Sequence, residues 1–251
     1  MRHQSPSSWA AICVCIATLL HFALGFSIEF SVDEAHYALY AQHLAWSYFD
    51  HPPLVGWIQW PLVALTSSEG LIRVVPELLW AISCFLVYQV TLEIHHFIQG
   101  RNSGYLTSSL PSANTCGLMA VLAIVAAPMP HVLAIGLLPD TLLAPLSLGL
   151  MLMALRWLIQ DHFTISDWLL TGLLLGLAGL SKYTAIFMAL GVAVCLLWAH
   201  GPRLLRSVWP WLAVGVALLL VLPVAVWNQQ NHWISFTYQA QHGAGGQWQW
   251  Q

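Results

Sequence analysis

Charge is what this sequence has least of. Asp, Glu, Lys and Arg make up 7% of its 251 residues, apolar side chains 59%, and the formal charge is only −3. With a mean hydropathy of +0.71, so little charge excludes an ordinary soluble domain. The seven basic residues form no cluster, so there is no electrostatic footprint for nucleic acid or for an anionic lipid surface. Cysteine is also sparse. Cys13, Cys15, Cys84, Cys116 and Cys195 all fall inside apolar runs without metal-type spacing, which excludes a disulfide framework and leaves small buried hydrophobes.

What is present is a series of apolar runs close to the ~20 residues a helix needs to cross a bilayer. They lie at 9–28, 75–98, 114–138, 141–159, 168–180, 185–198 and 208–227, and predict an all-α, multi-pass bundle of about seven spans forming a single membrane domain over 1–251. The first run follows Arg2 and also admits a cleavable signal peptide, although it is long for one.

The basic residues orient the chain. With Arg2 cytoplasmic, simple alternation puts Arg101, Arg156, Arg203 and Arg206 on the same side, as the positive-inside rule requires. Arg73 and Lys182 are the exceptions. One helix over 168–198 would run about 46 Å, against a hydrocarbon core of about 30 Å, so a hairpin broken at Ser181-Lys182-Tyr183-Thr184 fits better. Gly172, Gly176 and Gly179 would let its helices pack closely. In this topology Glu29, Asp33, Glu34, Asp50, Glu69, Glu77 and Asp140 all lie at or near the extracytoplasmic face.

Most of that acidity sits in the first long loop. Ser31-Val32-Asp33-Glu34 reads as a capping box followed by an interfacial helix through about Ser47. On such a helix Asp33, His36, Tyr40 and His43 share one face. The cap accounts for Glu34 about as well as catalysis does, whereas Asp33 suits a proton acceptor at a membrane interface. Pro52 and Pro53 then force an extended turn. Asp50 and His51 within it are either turn chemistry or groups facing the same cavity as Asp33. The spacing of His36, His43, His51 and Asp33 matches no common metal motif, so no cofactor is expected.

Six short motifs occur in order: Asp33-Glu34-Ala35-His36-Tyr37, Tyr48-Phe49-Asp50-His51-Pro52-Pro53, Arg73, Pro139-Asp140, Gly179-Leu180-Ser181-Lys182-Tyr183-Thr184, and Trp227-Asn228 with Trp233-Ile234-Ser235-Phe236, Gln239 and His242-Gly243. Together they resemble the GT-C membrane glycosyltransferases, nearest the bacterial protein O-mannosyltransferase and aminoarabinose-transferase group. The resemblance implies transfer of a sugar from a polyprenyl-phosphate carrier to a hydroxyl of a lipid, glycan or protein acceptor, on the outer face of a bacterial inner membrane. It implies Asp33 as general base, with Glu34 beside it and Asp140 as second acidic site. It also implies Arg73, Lys182, Asp50, His51 and Tyr183 on the substrate and phosphate side. Fixed cations there would stabilise the leaving phosphate, against the plainer reading of basic side chains snorkelling to the interface. His51 departs from a lysine common among aminoarabinose-transferase-like members. Family members are also roughly twice as long, so a truncated or split product is expected. A transporter or flippase of lipid-linked sugars, with the Lys182 break in its pathway, and a non-catalytic membrane subunit are the rival readings.

Overall fold

The computed structural model describes residues 5–101, 110–160 and 163–243, and the described residues are helical with no strands. The helices are α1 (Pro6–Gly25), α2 (Val32–Gln42), α3 (Leu54–Leu65), α4 (Glu69–Ile72), α5 (Val74–Arg101), α6 (Ala113–Ala126), α7 (Pro128–Ile135), α8 (Pro139–Ile159), α9 (Ile165–Ser181), α10 (Ala185–His200), α11 (Val208–Gln230) and α12 (Ile234–Gly243). Arg2 and the residues beyond Gly243 lie outside the described residues.

Among the described residues, four helices are individually long and apolar enough to cross a membrane: α1, the segment containing α5, α8 and α11. The predicted third span is a bent pair, α6 and α7, meeting at 74°. Ala127 leaves the helical region there, and Pro128 and Pro130 supply no N–H to carry the ladder across the bend. The predicted fifth and sixth spans are the shorter apolar helices α9 and α10.

Contacts fix the direction of each helix. Ser181 Oγ donates to Pro139 O (2.8 Å), joining the end of α9 to the start of α8, while Trp157 near the end of α8 meets Trp168 near the start of α9. His200 Nε2 lies 2.9 Å from Trp157 O, so α10 runs parallel to α8 and antiparallel to α9. The segment 165–200 is therefore the expected hairpin. The glycines of α9 face α11: a Cβ at Gly172 would lie 2.5 Å from Ala213 O, and one at Gly176 2.5 Å from Leu220. Close backbone approach substitutes for the hydrophobic drive that lipid does not supply. Exposed Leu218, Leu219 and Leu222 cover the other side of α11.

This arrangement brings the C-termini of α1, α9 and α11 and the N-termini of α5, α8 and α10 to one end of the bundle. There a cluster of Tyr37, Tyr40, Tyr48, Val55, Val75, Leu137 and Leu142 forms a core beneath the loop 26–73. The opposite end carries the half-exposed Glu93–Arg156 pair, 3.6 Å apart, and the short Pro202–Arg206 turn.

Candidate active site

The capping box forms as the sequence predicts: Glu34 N donates to Ser31 Oγ (3.3 Å) and Ser31 N to Glu34 Oε2 (2.9 Å). The helix it starts is shorter than expected. It ends at Gln42, because His43 turns out of the helical region (φ −124, ψ 69) and the Tyr48 hydroxyl, folding back, meets the carbonyls of Tyr40 (2.7 Å) and His43 (3.0 Å). His43 is therefore exposed, apart from the face it was expected to share with His36 and Tyr40.

Arg73 is placed differently from a substrate-facing cation. Its guanidinium is 2% exposed and its donors are taken. Nε reaches Glu34 Oε1 at 2.8 Å, Nη2 reaches Glu34 Oε2 (3.2 Å) and Glu29 O (3.1 Å), and Nη1 donates to Ile28 O (2.8 Å) and Gly25 O. The Phe30 ring covers it at 5.0 Å. Arg73 and Glu34 thus form a buried clamp tying the end of α1 to α2 and to the start of α5, with no donor of Arg73 turned to a cavity.

The proline-locked turn points Asp50 inward. Tyr40 Oη donates to Asp50 Oδ1, His36 Nε2 lies 3.1 Å from Oδ2, and His51 Nδ1 is within ion-pair range of the same oxygen at 3.2 Å. Burial alone would raise the Asp50 carboxyl, but the hydrogen bonds and charge of His51, Tyr40 and His36 outweigh it and hold the group at about 2. Asp50 is therefore an ionised anchor. Because it takes a hydrogen from His36 Nε2, the other ring nitrogen of a neutral His36 is left as an acceptor.

Asp33, one turn before His36, is exposed and makes no hydrogen bond or ion pair with the described residues. Its neighbourhood is nonetheless defined. The Tyr37 phenol is pushed well above its ordinary value, by burial first and then by the charges of Asp50, Asp33 and Asp140 and by Tyr238, so it senses carboxylates from three separate segments. Burial and the Asp50 carboxylate raise Tyr40 likewise, which keeps both phenols protonated as donors.

Asp140, in the first turn of α8, receives both contacts of Lys182 Nζ, at 2.7 and 2.8 Å. Both side chains remain partly open, Lys182 at 28% and Asp140 at 49%. Lys182 sits where α9 stops, its backbone extended (φ −154, ψ 140). Tyr183 Oη lies 3.3 Å from Ser47 Oγ and its ring 5.2 Å from Phe236, so the α9–α10 break is tied to the turn below α2.

Helix α12 closes over that turn. Buried Asn228 accepts from Ser235 N (3.2 Å) through Oδ1, and His232 and Trp233 take left-handed conformations (φ 56 and 57) to reverse the chain. Ser235 Oγ then donates to Tyr48 O (2.6 Å), Gln239 Nε2 to Asp50 O (2.5 Å), and Tyr238 meets Phe49 at 5.1 Å. Sequence reasoning ranked Asn228, Ser235 and Gln239 only as parts of a motif and assigned no role to Tyr37. The aromatic spacing Tyr37, Tyr40, Tyr48 flanking Asp50 was the available signal.

Below the site, Leu54, Ile58, Leu142, Leu146, Leu170 and Leu174 line an apolar groove of about 400 Å³ that reaches Arg156 near the opposite end. Among the described residues no group of three or more His, Cys, Asp or Glu side chains is arranged to hold a metal ion.

Residues 105–227, which include Asp140, Lys182 and Tyr183 but not α2, match the family described as dolichyl-phosphate-mannose-protein mannosyltransferase. The lipid A galacturonosyltransferase RgtD of Rhizobium johnstonii is 27% identical over 81% of this chain and 39% of its own length. The lipopolysaccharide core galacturonosyltransferase RgtA of the same organism is 27% identical over 85% and 39%. The chain spans about two fifths of the length of these curated relatives. No solved structure matches it. Its all-helical fold and apolar helices are those of a membrane protein, and its residues 105–227 are similar to the dolichyl-phosphate-mannose-protein mannosyltransferase family, of the GT-C glycosyltransferase class.

Proposed function

We propose that this chain belongs to a membrane glycosyltransferase that moves a sugar from a polyprenyl-phosphate donor to a hydroxyl, at the extracytoplasmic face of a bacterial inner membrane. The observation that carries the reading is the Asp140–Lys182 pair, left half-open at the same end of the bundle as exposed Asp33 and buried Asp50, where an apolar groove arrives through Leu54 and Leu142. The groove suits a polyprenyl chain, and Lys182 suits the phosphate it carries. The acceptor oxygen attacks the anomeric carbon and its proton passes to the Asp33 carboxylate. The bond from carbon to phosphate oxygen breaks, and polyprenyl phosphate leaves with the electron pair. A single displacement of this kind inverts the anomeric centre.

Asp50 holds the turn and His36 and is not the base, since its oxygens already accept from Tyr40 and His36 and lie within ion-pair range of His51. Arg73 and Glu34 act through the clamp, and Tyr183 through its tie to Ser47. The two relatives support a lipid A or lipopolysaccharide core acceptor and an acidic sugar, for which Lys182 offers positive charge.

A second assignment of the base has its own observation. His36, oriented by Asp50 through Nε2, offers Nδ1 in the manner of a carboxylate-oriented imidazole. Membranes containing the chain, given a radiolabelled polyprenyl-phosphate sugar and a lipopolysaccharide acceptor, test both. Transfer lost by about 10²–10⁴-fold in Asp33→Asn but retained in His36→Gln supports Asp33, and the reverse pattern supports His36. Movement of the labelled lipid across the bilayer without transfer would instead identify a transporter, and neither process a non-catalytic subunit.

A further inference from the structure

One helical turn deeper than the Arg73–Glu34 clamp lies a second polar layer that the transfer chemistry does not use. His21 on α1 precedes Gly25 by one turn, and Glu77 on α5 follows Arg73 by one turn. His21 Nδ1 lies 3.3 Å from Glu77 Oε2, His21 Nε2 lies 2.6 Å from His131 Nδ1 on α7, and His131 Nε2 lies 2.8 Å from Val125 O on α6. His21 and Glu77 are each 3% exposed, and Trp80 flanks both imidazoles at 5.3 and 5.4 Å.

The end of this chain fixes its hydrogens. A carbonyl only accepts, so His131 Nε2 carries the hydrogen that caps the broken end of α6. Each of the two remaining contacts then needs one hydrogen of its own. Three are required, whereas two neutral imidazoles and an ionised carboxylate supply two. We infer that His21, His131 and Glu77 together form a binding site for one proton, taken up as α1, α5 and α7 close on one another. With that proton the layer is formally neutral and every contact has one donor and one acceptor. Without it two acceptors face each other, and one more would leave the buried layer with a net positive charge.

The surroundings leave the site to itself. Within the layer Glu77 faces His21, and His21 faces His131. Toward the bundle end Arg73 and Glu34 neutralise each other, as do Lys182 and Asp140 at the start of α8. The thiol of Cys84 on α5 shares the adjoining core with Trp80, and α6 contributes the Val125 carbonyl. What the proton holds is the α6–α7 bend. From α7 the chain runs through Gly136, whose carbonyl accepts from Thr141 Oγ1 (2.8 Å), directly to Asp140.

The site is independent of the transferase reading, and its test needs no substrate. Thermal unfolding of the whole chain in lipid nanodiscs is followed from pH 6 to pH 9 for the wild type, Glu77→Gln and Glu77→Leu. Where free imidazoles are neutral and carboxylates ionised, folding takes up one proton, so the wild-type unfolding constant rises about tenfold per pH unit relative to Glu77→Gln. A glutamine amide donates to His21 Nδ1 without an extra proton. Glu77→Gln therefore stays folded and loses this pH dependence, while Glu77→Leu orphans His21 and is less stable than Glu77→Gln. Parallel pH profiles for wild type and Glu77→Gln, or a Glu77→Gln chain that fails to fold or is no more stable than Glu77→Leu, would overturn the inference.

Discussion

The Arg73 guanidinium grips the Glu34 carboxylate with Nε at 2.8 Å and Nη2 at 3.2 Å, both groups buried where α1, α2 and α5 meet. A basic residue that the charge pattern of the sequence leaves out of place is thus accounted for by a carboxylate and three backbone carbonyls within the same chain. Removing one partner of such a pair leaves an uncompensated charge, worth about 3–5 kcal/mol. Arg73→Met and Glu34→Met singly are expected to lower thermal stability strongly, and the double variant to recover part of the loss. A double-mutant cycle on unfolding measures it. Full additivity of the two losses would contradict the clamp.

The Asp140–Lys182 pair is expected to behave in the opposite way. Both side chains are partly exposed, so the pair adds about 0–1 kcal/mol to stability. If Lys182 holds the donor phosphate, Lys182→Met keeps the fold and raises KM for the polyprenyl-phosphate sugar by tenfold or more. Unfolding midpoints and transfer kinetics on the same preparations separate the two effects, and an unchanged KM would remove Lys182 from the phosphate role.

Acid should loosen the turn at Asp50. Its carboxyl is lowered from 3.8 to about 2. A lowered carboxyl stabilises the fold above its unfolded value, and that contribution disappears as pH falls through the folded one. About 2 kcal/mol is therefore fully present above about pH 5 and lost between about pH 4 and pH 2. Asp50→Asn should be less stable than wild type at pH 6 and converge with it near pH 2. Unfolding curves across that range provide the measurement, and a constant difference would argue against the anchoring role.

The α9–α11 contact predicts a size limit. A side chain at Gly172 must displace the α11 backbone, 2.5 Å from where its Cβ would stand. Gly172→Val is expected to cost several-fold more in folded yield than Gly191→Val, because Gly191 on α10 has nothing within 4 Å of the same position. Detergent-resistant folded protein, measured by size-exclusion chromatography, reports the difference.

Features governed by local chemistry were the readable ones. The capping box at Ser31, the hairpin at Lys182 and the small-residue face of α9 follow from short-range propensity, helix length against bilayer thickness, and side-chain volume. The length of α2 was misjudged because its end depends on Tyr48 returning from outside the helix. Arg73 looked like a free cation because Glu34 lies far from it in the chain and its other partners are main-chain carbonyls of 25–29, which no side-chain pattern announces. Tyr37 was missed for a related reason: the carboxylates it senses are far apart in the chain, on α2, in the turn and at the head of α8.

Tyr48 and Ser235 are 187 positions apart, yet their hydrogen bond helps fix the turn that carries Asp50. During synthesis the loop 26–73 emerges early, whereas Asn228 comes only at the end of α11, and Ser235 and Gln239 after it. A nascent chain arrested between α10 and α12 would thus hold the bundle without its latch, leaving the Asp50 turn open to proteases. The Asp50 turn is latched late in biogenesis, so premature termination in this region should leave it open while sparing membrane insertion.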